Sequence, residues 1–380
     1  MMPPVFFRAS TWAAAVLSAW LGTCGAATPR APQTDAPDCS REAAAACLVA
    51  MQLPGGAGQL HYYSSRPLGA TAQPGPRSAL IVMHGHSRDA GHSFRAGLLA
   101  AERAGRLGQT LVIAPLFQVP ASRSARCQTP GTPQAQPGDA LWSCGSWPAG
   151  LASAGEHGVS SIAALDALLA ELKRQWPDLQ EATLAGFSAG AQLVQRSIGF
   201  AAQPPAGLRL RYVVADPSSW LYFDPVRPQP QVQGQPADWQ ACSVDAQGQT
   251  PCSFAFAAPT GKEACRGYDD WKYGTGALPA ILGSSAQQAR QRYAEADVAY
   301  LEGALDSGSA RGTAYRVLDK SCAAMLQGPF RLQRGLAYLA YEQAVLHPAR
   351  PRTLAVVPGC AHDVACVLPH AAARAAVFPR

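Results

Sequence analysis

The chain has 380 residues, 48% hydrophobic and 15% charged, enough to bury the core of one large α/β domain or two small ones. Its formal net charge is +6, but the Lys and Arg residues are scattered and no basic run is interleaved with aromatics. That excludes a nucleic-acid surface of the usual kind, and the charge reads as solvated surface.

Taken in order, residues 1–27 carry Arg8, an apolar stretch from Ala9 to Leu21 and small residues from Gly22 to Ala27. This is the layout of a secretory signal peptide, too short and too weakly flanked for a stable membrane span. The protein is therefore expected to be secreted or periplasmic. The alternative is a lipid anchor on Cys24, although Thr23 occupies a place normally held by Gly, Ala or Ser. Residues 28–58 read as a lead-in, Ala- and Pro-rich at the start. Ten of the eleven cysteines remain if Cys24 leaves with the signal, and an even number in an exported chain points to disulfides. Spacing suggests Cys39 with Cys47, Cys127 with Cys144, Cys242 with Cys252 and Cys360 with Cys366, leaving Cys265 and Cys322 to close a long loop. No C-x-x-C occurs, so neither a zinc site nor a redox dithiol is expected. The chain calls for no metal or other cofactor.

Gln59 to Ser64 has the aromatic content of a strand, and Ser78 to Met83 is a continuous apolar run of the kind buried on both faces of a parallel sheet. It ends in His84-Gly85-His86-Ser87-Arg88-Asp89. Asp89 to Gly105 reads as a helix with Phe94, Leu98, Leu99 and Ala101 on its stripe, and Thr110 to Phe117 as the next buried strand. Residues 118–157 form a long Pro-, Gly- and Trp-rich loop stapled by Cys127 and Cys144, where Trp142 and Trp147 either line a cleft or pack. Val159 to Trp176 is an amphipathic helix ending at Pro177.

Glu181 to Gln195 organises the rest. A short apolar run leads into Gly186-Phe187-Ser188-Ala189-Gly190 and then a helical pattern, the order a G-x-S-x-G nucleophile elbow requires. Only small residues beside the serine let the strand turn sharply enough into the helix. Ser188 is then the candidate nucleophile, and the N–H of Ala189, at the helix start, is a candidate oxyanion donor. After the strand Leu208 to Ala215 come Asp216 and a rim loop running to Phe223. Residues 227–283 break the alternation of strands and helices, with three cysteines and many aromatics, and read as a cap inserted at about 217–285. Alternation resumes with a helix around Ala286 to Ala296 and a strand around Val298 to Leu301, which opens toward Asp306. Helical stretches follow from Asp319 to Leu346. A last strand, Thr353 to Val357, runs into Pro358-Gly359-Cys360-Ala361-His362.

Ser188, Asp306 and His362 each follow a strand, in the order Ser, Asp, His. A serine hydroxyl is a poor nucleophile until an imidazole takes its proton and a carboxylate fixes the imidazole tautomer, so the three are needed together. Asp216 competes with Asp306 for the acid, but it precedes Pro217 and opens the rim loop. At these residues the chain resembles the α/β-hydrolase superfamily from about Tyr62 to Val377, with a more distant similarity to secreted esterases of the polyhydroxybutyrate depolymerase and feruloyl esterase type. The resemblance implies an α/β-hydrolase fold, with a mostly parallel central sheet flanked by helices and a cysteine-rich cap, spanning residues 59–380. It also implies a second oxyanion donor at the N–H of His86 after the strand ending in His-Gly, and ester hydrolysis through an acyl-enzyme on a small-molecule or polymeric ester. Phe187 departs from the pattern, standing where many relatives carry His. A protease or amidase on the same scaffold is the second reading and a non-catalytic binding domain the third.

Overall fold

The computed structural model describes residues 1–5, 9–10, 38–67, 75–245, 249–259 and 265–379. The chain divides into units Met1–Ala36 and Pro37–Arg380, and the second carries everything that follows. Most of the signal-peptide stretch, Cys24 and the lead-in up to residue 37 lie outside the described residues.

Eleven strands form two sheets. In chain order they are β1 (Leu48–Gln52), β2 (Gln59–Ser64), β3 (Ser78–Met83), β4 (Thr110–Leu116), β5 (Glu181–Phe187), β6 (Arg209–Ala215), β7 (Arg227–Val232), β8 (Gln235–Pro236), β9 (Cys252–Ala257), β10 (Val298–Gly303) and β11 (Thr353–Val357). The large sheet runs β1-β2-β4-β3-β5-β6-β10-β11. β1, β2 and β4 pair antiparallel, and every pair from β4 through β11 is parallel.

The helices are α1 (Ala90–Arg103), α2 (Ala121–Ser124), α3 (Ser161–Gln175), α4 (Ala189–Phe200), α5 (Ala286–Glu295), α6 (Cys322–Met325), α7 (Arg331–Tyr341), α8 (Val364–Val367) and α9 (Arg374–Val377). Side chains that alternate along a strand must face opposite sides of the sheet, and both sides are covered. On β3, Ala79, Ile81 and Met83 join the core under α3, α4 and α5, whereas Leu80 and Val82 join the core shared with α1, α8 and α9. Tyr212 and Val214 of β6 face the first core, and Val213 and Ala215 face the second. Strands buried on both faces are continuous apolar runs for this reason, which is why β3 to β6 are readable in the sequence.

Two features differ from the sequence reading. Leu48–Gln52, within the expected lead-in, pair with β2 as an edge strand, and the Cys39–Cys47 disulfide precedes them. The segment after β6 contains a separate sheet in the order β8-β7-β9. All five disulfides join the cysteines that spacing suggested, including Cys265 with Cys322. Among the described residues no helix is long and apolar enough to cross a membrane.

Candidate active site

The loops after β3, β5, β6, β10 and β11 leave the same edge of the sheet, because those strands are parallel. Chain order reverses at β3, which lies between β4 and β5. Open α/β sheets bind ligands at such a switch point, and here the flanking loops carry His86 and Ser188.

Ser188 lies between β5 and α4 with φ 57° and ψ −118°, a region L-residues enter only when the surrounding structure forces them. The force is the close approach of β5, β3 and α4. A Cβ on Gly186 would lie 2.4 Å from the carbonyl oxygen of Gly190, and one on Gly190 would lie 2.5 Å from that of His84. The Ser188 N–H still donates to Ala215 O at 2.9 Å, so this turn remains tied to β6.

His362 Nε2 lies 2.9 Å from Ser188 Oγ, and His362 Nδ1 lies 2.7 Å from Asp306 Oδ2. The loops that carry the histidine and the acid are knitted together: Ala304 N–H donates to Val357 O at 3.0 Å and Leu305 N–H to Cys360 O at 2.9 Å. His362 N–H donates to Gly312 O at 3.0 Å, and the Cys360–Cys366 disulfide closes its loop from below. The Phe187 ring packs 4.7 Å from the His362 imidazole, an apolar contact.

The two candidate oxyanion donors come from different elements. Ala189 is the first residue of α4, where an N–H has no acceptor within the helix. His86 sits in a turn closed by Arg88 N–H on Gly85 O at 3.0 Å, a bond that leaves the His86 N–H outside it. Arg88 is 1% exposed and braces the turn by donating to Cys127 O at 3.1 Å and Gln118 Oε1 at 2.9 Å. His84 is structural. Its Nε2 accepts from Phe117 N–H at 3.2 Å, and burial pushes its pKa down to about 4, so the ring stays neutral.

Asp306 and Asp216 have different surroundings. Asp306, itself buried, accepts from the half-buried His362 and from Arg331 Nη1 at 3.1 Å, the arginine being 1% exposed. Asp216 Oδ1 accepts from Gly303 N–H at 2.8 Å instead. Burial first, then the neighbouring Asp306, pushes Asp216 up to about 7, and burial with Asp216 pushes Glu302 well above the carboxylate range. Asp216 Oδ2 and both carboxyl oxygens of Glu302 have no donor among the described residues, which fits two buried carboxyls that hold protons more readily than free ones. Among the described residues, the cation paired with this group of three carboxyls is Arg331, through Asp306. Asp216, Asp306 and His362 do bring one donor atom each within 4.8 Å, the arrangement among the described residues closest to a metal-ligand set. Two of those three residues are bonded to each other and a third bond comes from a cation, so the donor set suits protons better than a metal.

Trp142 and Trp147 are 2% and 0% exposed; Trp147 stacks on Phe117 and meets His84 edge-on, and Trp142 meets Phe117 edge-on, so they pack and do not line a cleft. A cavity of about 590 Å³ opens at the opposite edge of the sheet, among strand-start residues such as Ser78, Glu181 and Arg209, and contains none of the residues above. A hollow of about 490 Å³ next to the His362 loop is lined by Gly312, Tyr315, Arg316 and Lys320.

The sequence reading missed Arg331, Glu302 and Gln192. Arg331 had a usable signal. With Arg334, Tyr338 and Tyr341 it follows the 3-4-3 spacing of one helix face, and all four are buried. Two arginines on an apolar stripe are costly unless they have partners inside.

No protein-family model matches the chain, and no curated protein sequence matches it. Among solved structures, it is similar to a poly(3-hydroxybutyrate) depolymerase from Bordetella parapertussis, at 21% identity and a TM-score of 0.51, over 84% of this chain and 86% of that one. It is also similar to poly(aspartic acid) hydrolase-1 from Sphingomonas sp. KT-1, at 17% identity and a TM-score of 0.48, over 84% and 94% of the two chains. At these identities the likeness is one of fold.

Proposed function

We propose that this α/β-hydrolase fold carries a serine hydrolase that cleaves carboxylic esters through an acyl-enzyme, with Ser188 as nucleophile, His362 as base and Asp306 as the acid that orients it. The observation that carries this is the continuous hydrogen-bonded chain Ser188–His362–Asp306, at 2.9 and 2.7 Å, ending on a buried Arg331. In the first half-reaction Ser188 Oγ attacks the ester carbonyl while His362 Nε2 takes its proton. The negative charge moves to the carbonyl oxygen, facing the N–H groups of Ala189 and His86, and collapses as the C–O bond breaks and His362 returns the proton to the leaving alcohol. Water repeats the cycle on the acyl-enzyme. Asp306 stabilises the imidazolium and keeps the tautomer that presents Nε2 as acceptor.

The substrate is a small-molecule or polymeric ester, reached through the loops above the sheet, and the segment at about 217–285 acts as the cap. A hydrolase on this scaffold could instead cleave amides, so the direct test is a short-chain nitrophenyl ester against a peptide amide. Ester turnover that exceeds amide turnover is expected; the reverse order would make it a peptidase. A non-catalytic binding domain would show neither. Five disulfides among the described residues are consistent with an oxidising compartment and support the reading of a secreted or periplasmic protein, with a lipid anchor through Cys24 as the alternative.

The base must be neutral to accept a proton. Burial lowers His362 below the ordinary imidazole value, and this outweighs the bond to Asp306, which acts in the opposite direction. A depressed pKa extends the neutral form to lower pH, so kcat/KM is expected to stay level through neutrality and to fall only below about pH 6.5. An acidic limb centred above pH 7 would contradict the assignment of His362.

The Cys360–Cys366 ring encloses the base, and a misplacement of about 1 Å can cost on the order of a hundredfold in rate. Replacing both cysteines with serine is expected to lower kcat by roughly ten- to a hundredfold, beyond the ~2 kcal/mol of stability that opening so short a loop removes. Denaturant unfolding measured beside kinetics separates the two effects.

A further inference from the structure

We propose that Lys272, brought to the site by the segment inserted after β6, selects esters bearing a carboxylate close to the scissile bond. The inference rests on Ser188 being the nucleophile and concerns the substrate class that reaches it.

Around the loop Ser218-Ser219-Trp220, next to Ser188, cations outnumber anions. Gln192, one turn along α4 from Ser188, donates to Ser219 Oγ at 2.7 Å, and Arg196, one turn further, donates to the same oxygen at 3.3 Å and to Pro148 O at 2.6 Å. Arg196 is 0% exposed and its Nε has no protein acceptor. Arg334, also buried, donates to Ser218 O, to Gly328 O at 2.8 Å and to Asp319 O at 2.9 Å. Lys272 completes the group, its Nζ 3.5 Å from Asp319 Oδ2. That carboxylate is already engaged by Tyr273 OH at 2.7 Å.

Among the described residues, Asp319 is the carboxylate set against Lys272, with Arg334 donating to its backbone oxygen. Other acids of the region are engaged elsewhere: Asp306 with Arg331 and His362, Asp363 with His92 at 3.3 Å, and Asp269, three residues before Lys272, with Arg227 at 3.3 Å. The hollow beside Gly312 adds Arg316 and Lys320 and no acid. Arg196 and Arg334 are sealed from solvent and set a positive potential, whereas the Lys272 side chain is 37% exposed and is the member a ligand can touch. The geometric link from this cationic group to the nucleophile is Gln192, which lies one helical turn from Ser188 and donates to the Ser219 hydroxyl that Arg196 also contacts. Unbalanced positive charge beside a site of ester cleavage attracts an anionic substrate and repels a cationic one.

Matched substrates test this. Monoethyl adipate against ethyl hexanoate places the carboxylate on the acyl side, and 3-butyryloxypropanoate against propyl butyrate places it on the alcohol side. The full chain at low ionic strength is expected to prefer the anionic member of at least one pair by about tenfold in kcat/KM, mainly through KM, with the preference shrinking as salt rises. In Lys272→Met the ratio should fall toward one, and Lys272→Arg should restore it. Because the readout is a ratio within one preparation, partial misfolding of a variant cancels. Equal rates within both pairs, or a preference that survives Lys272→Met, overturns the proposal and leaves ester hydrolysis standing. Failure to cleave any of the four esters removes the hydrolase reading and this inference with it.

Discussion

Ser188→Ala is expected to lower kcat/KM for ester hydrolysis by on the order of 10⁴–10⁶, because the variant retains only the binding and oxyanion contributions. Its fold should survive. Alanine has the same backbone demands as serine at φ 57° and loses only the bond to His362, so the unfolding midpoint should move by less than about 1 kcal/mol. A variant that keeps full activity moves the nucleophile elsewhere.

The second large effect separates the two acids. Asp306→Asn should cost on the order of 10³–10⁴ in kcat, since the amide cannot stabilise an imidazolium and favours the wrong tautomer. It should also cost on the order of 3 kcal/mol, because Arg331, 1% exposed, loses its counter-charge. Asp216→Asn should change kcat by less than about tenfold. The asparagine oxygen can still accept from Gly303 N–H, and the variant removes a carboxyl that Asp306 and Glu302 both crowd, so stability should hold or rise. Kinetics on both variants at matched folded fractions decides the matter. A turnover loss confined to Asp216→Asn would transfer the acid role to that residue.

The sheet and the three triad candidates were legible because both depend on local rules. Strands covered on two faces must be continuous apolar runs, and a strand-to-helix turn with no room for a Cβ must carry glycines at positions 186 and 190. The small sheet after β6 was not legible, because β7 is Arg-Pro-Gln-Pro-Gln-Val. Pro228 and Pro230 face Phe256 and Phe254 of β9 at alternate positions, where an N–H would point away from that partner, and β8 reaches only Gln231 and Val232 on the other side. Pro230 O accepts from Ala237 N–H at 3.0 Å on that side, so the prolines forfeit no bond to β9, though they look like strand breakers. The electrostatic surroundings were illegible for another reason. Arg331, Glu302, Asp216 and Asp306 come from three elements, and only the folded chain shows that one guanidinium serves three carboxyls.

Identifying the residue that forms the covalent intermediate tests the central claim most directly. The mature protein is treated with a fluorophosphonate, which phosphonylates an activated serine as fluoride leaves, and the adduct is mapped by peptide mass spectrometry. A single adduct on Ser188, formed in step with loss of esterase activity and slowed by orders of magnitude in Asp306→Asn, is the expected result. An adduct on another residue, or inactivation without modification of Ser188, would contradict the assignment.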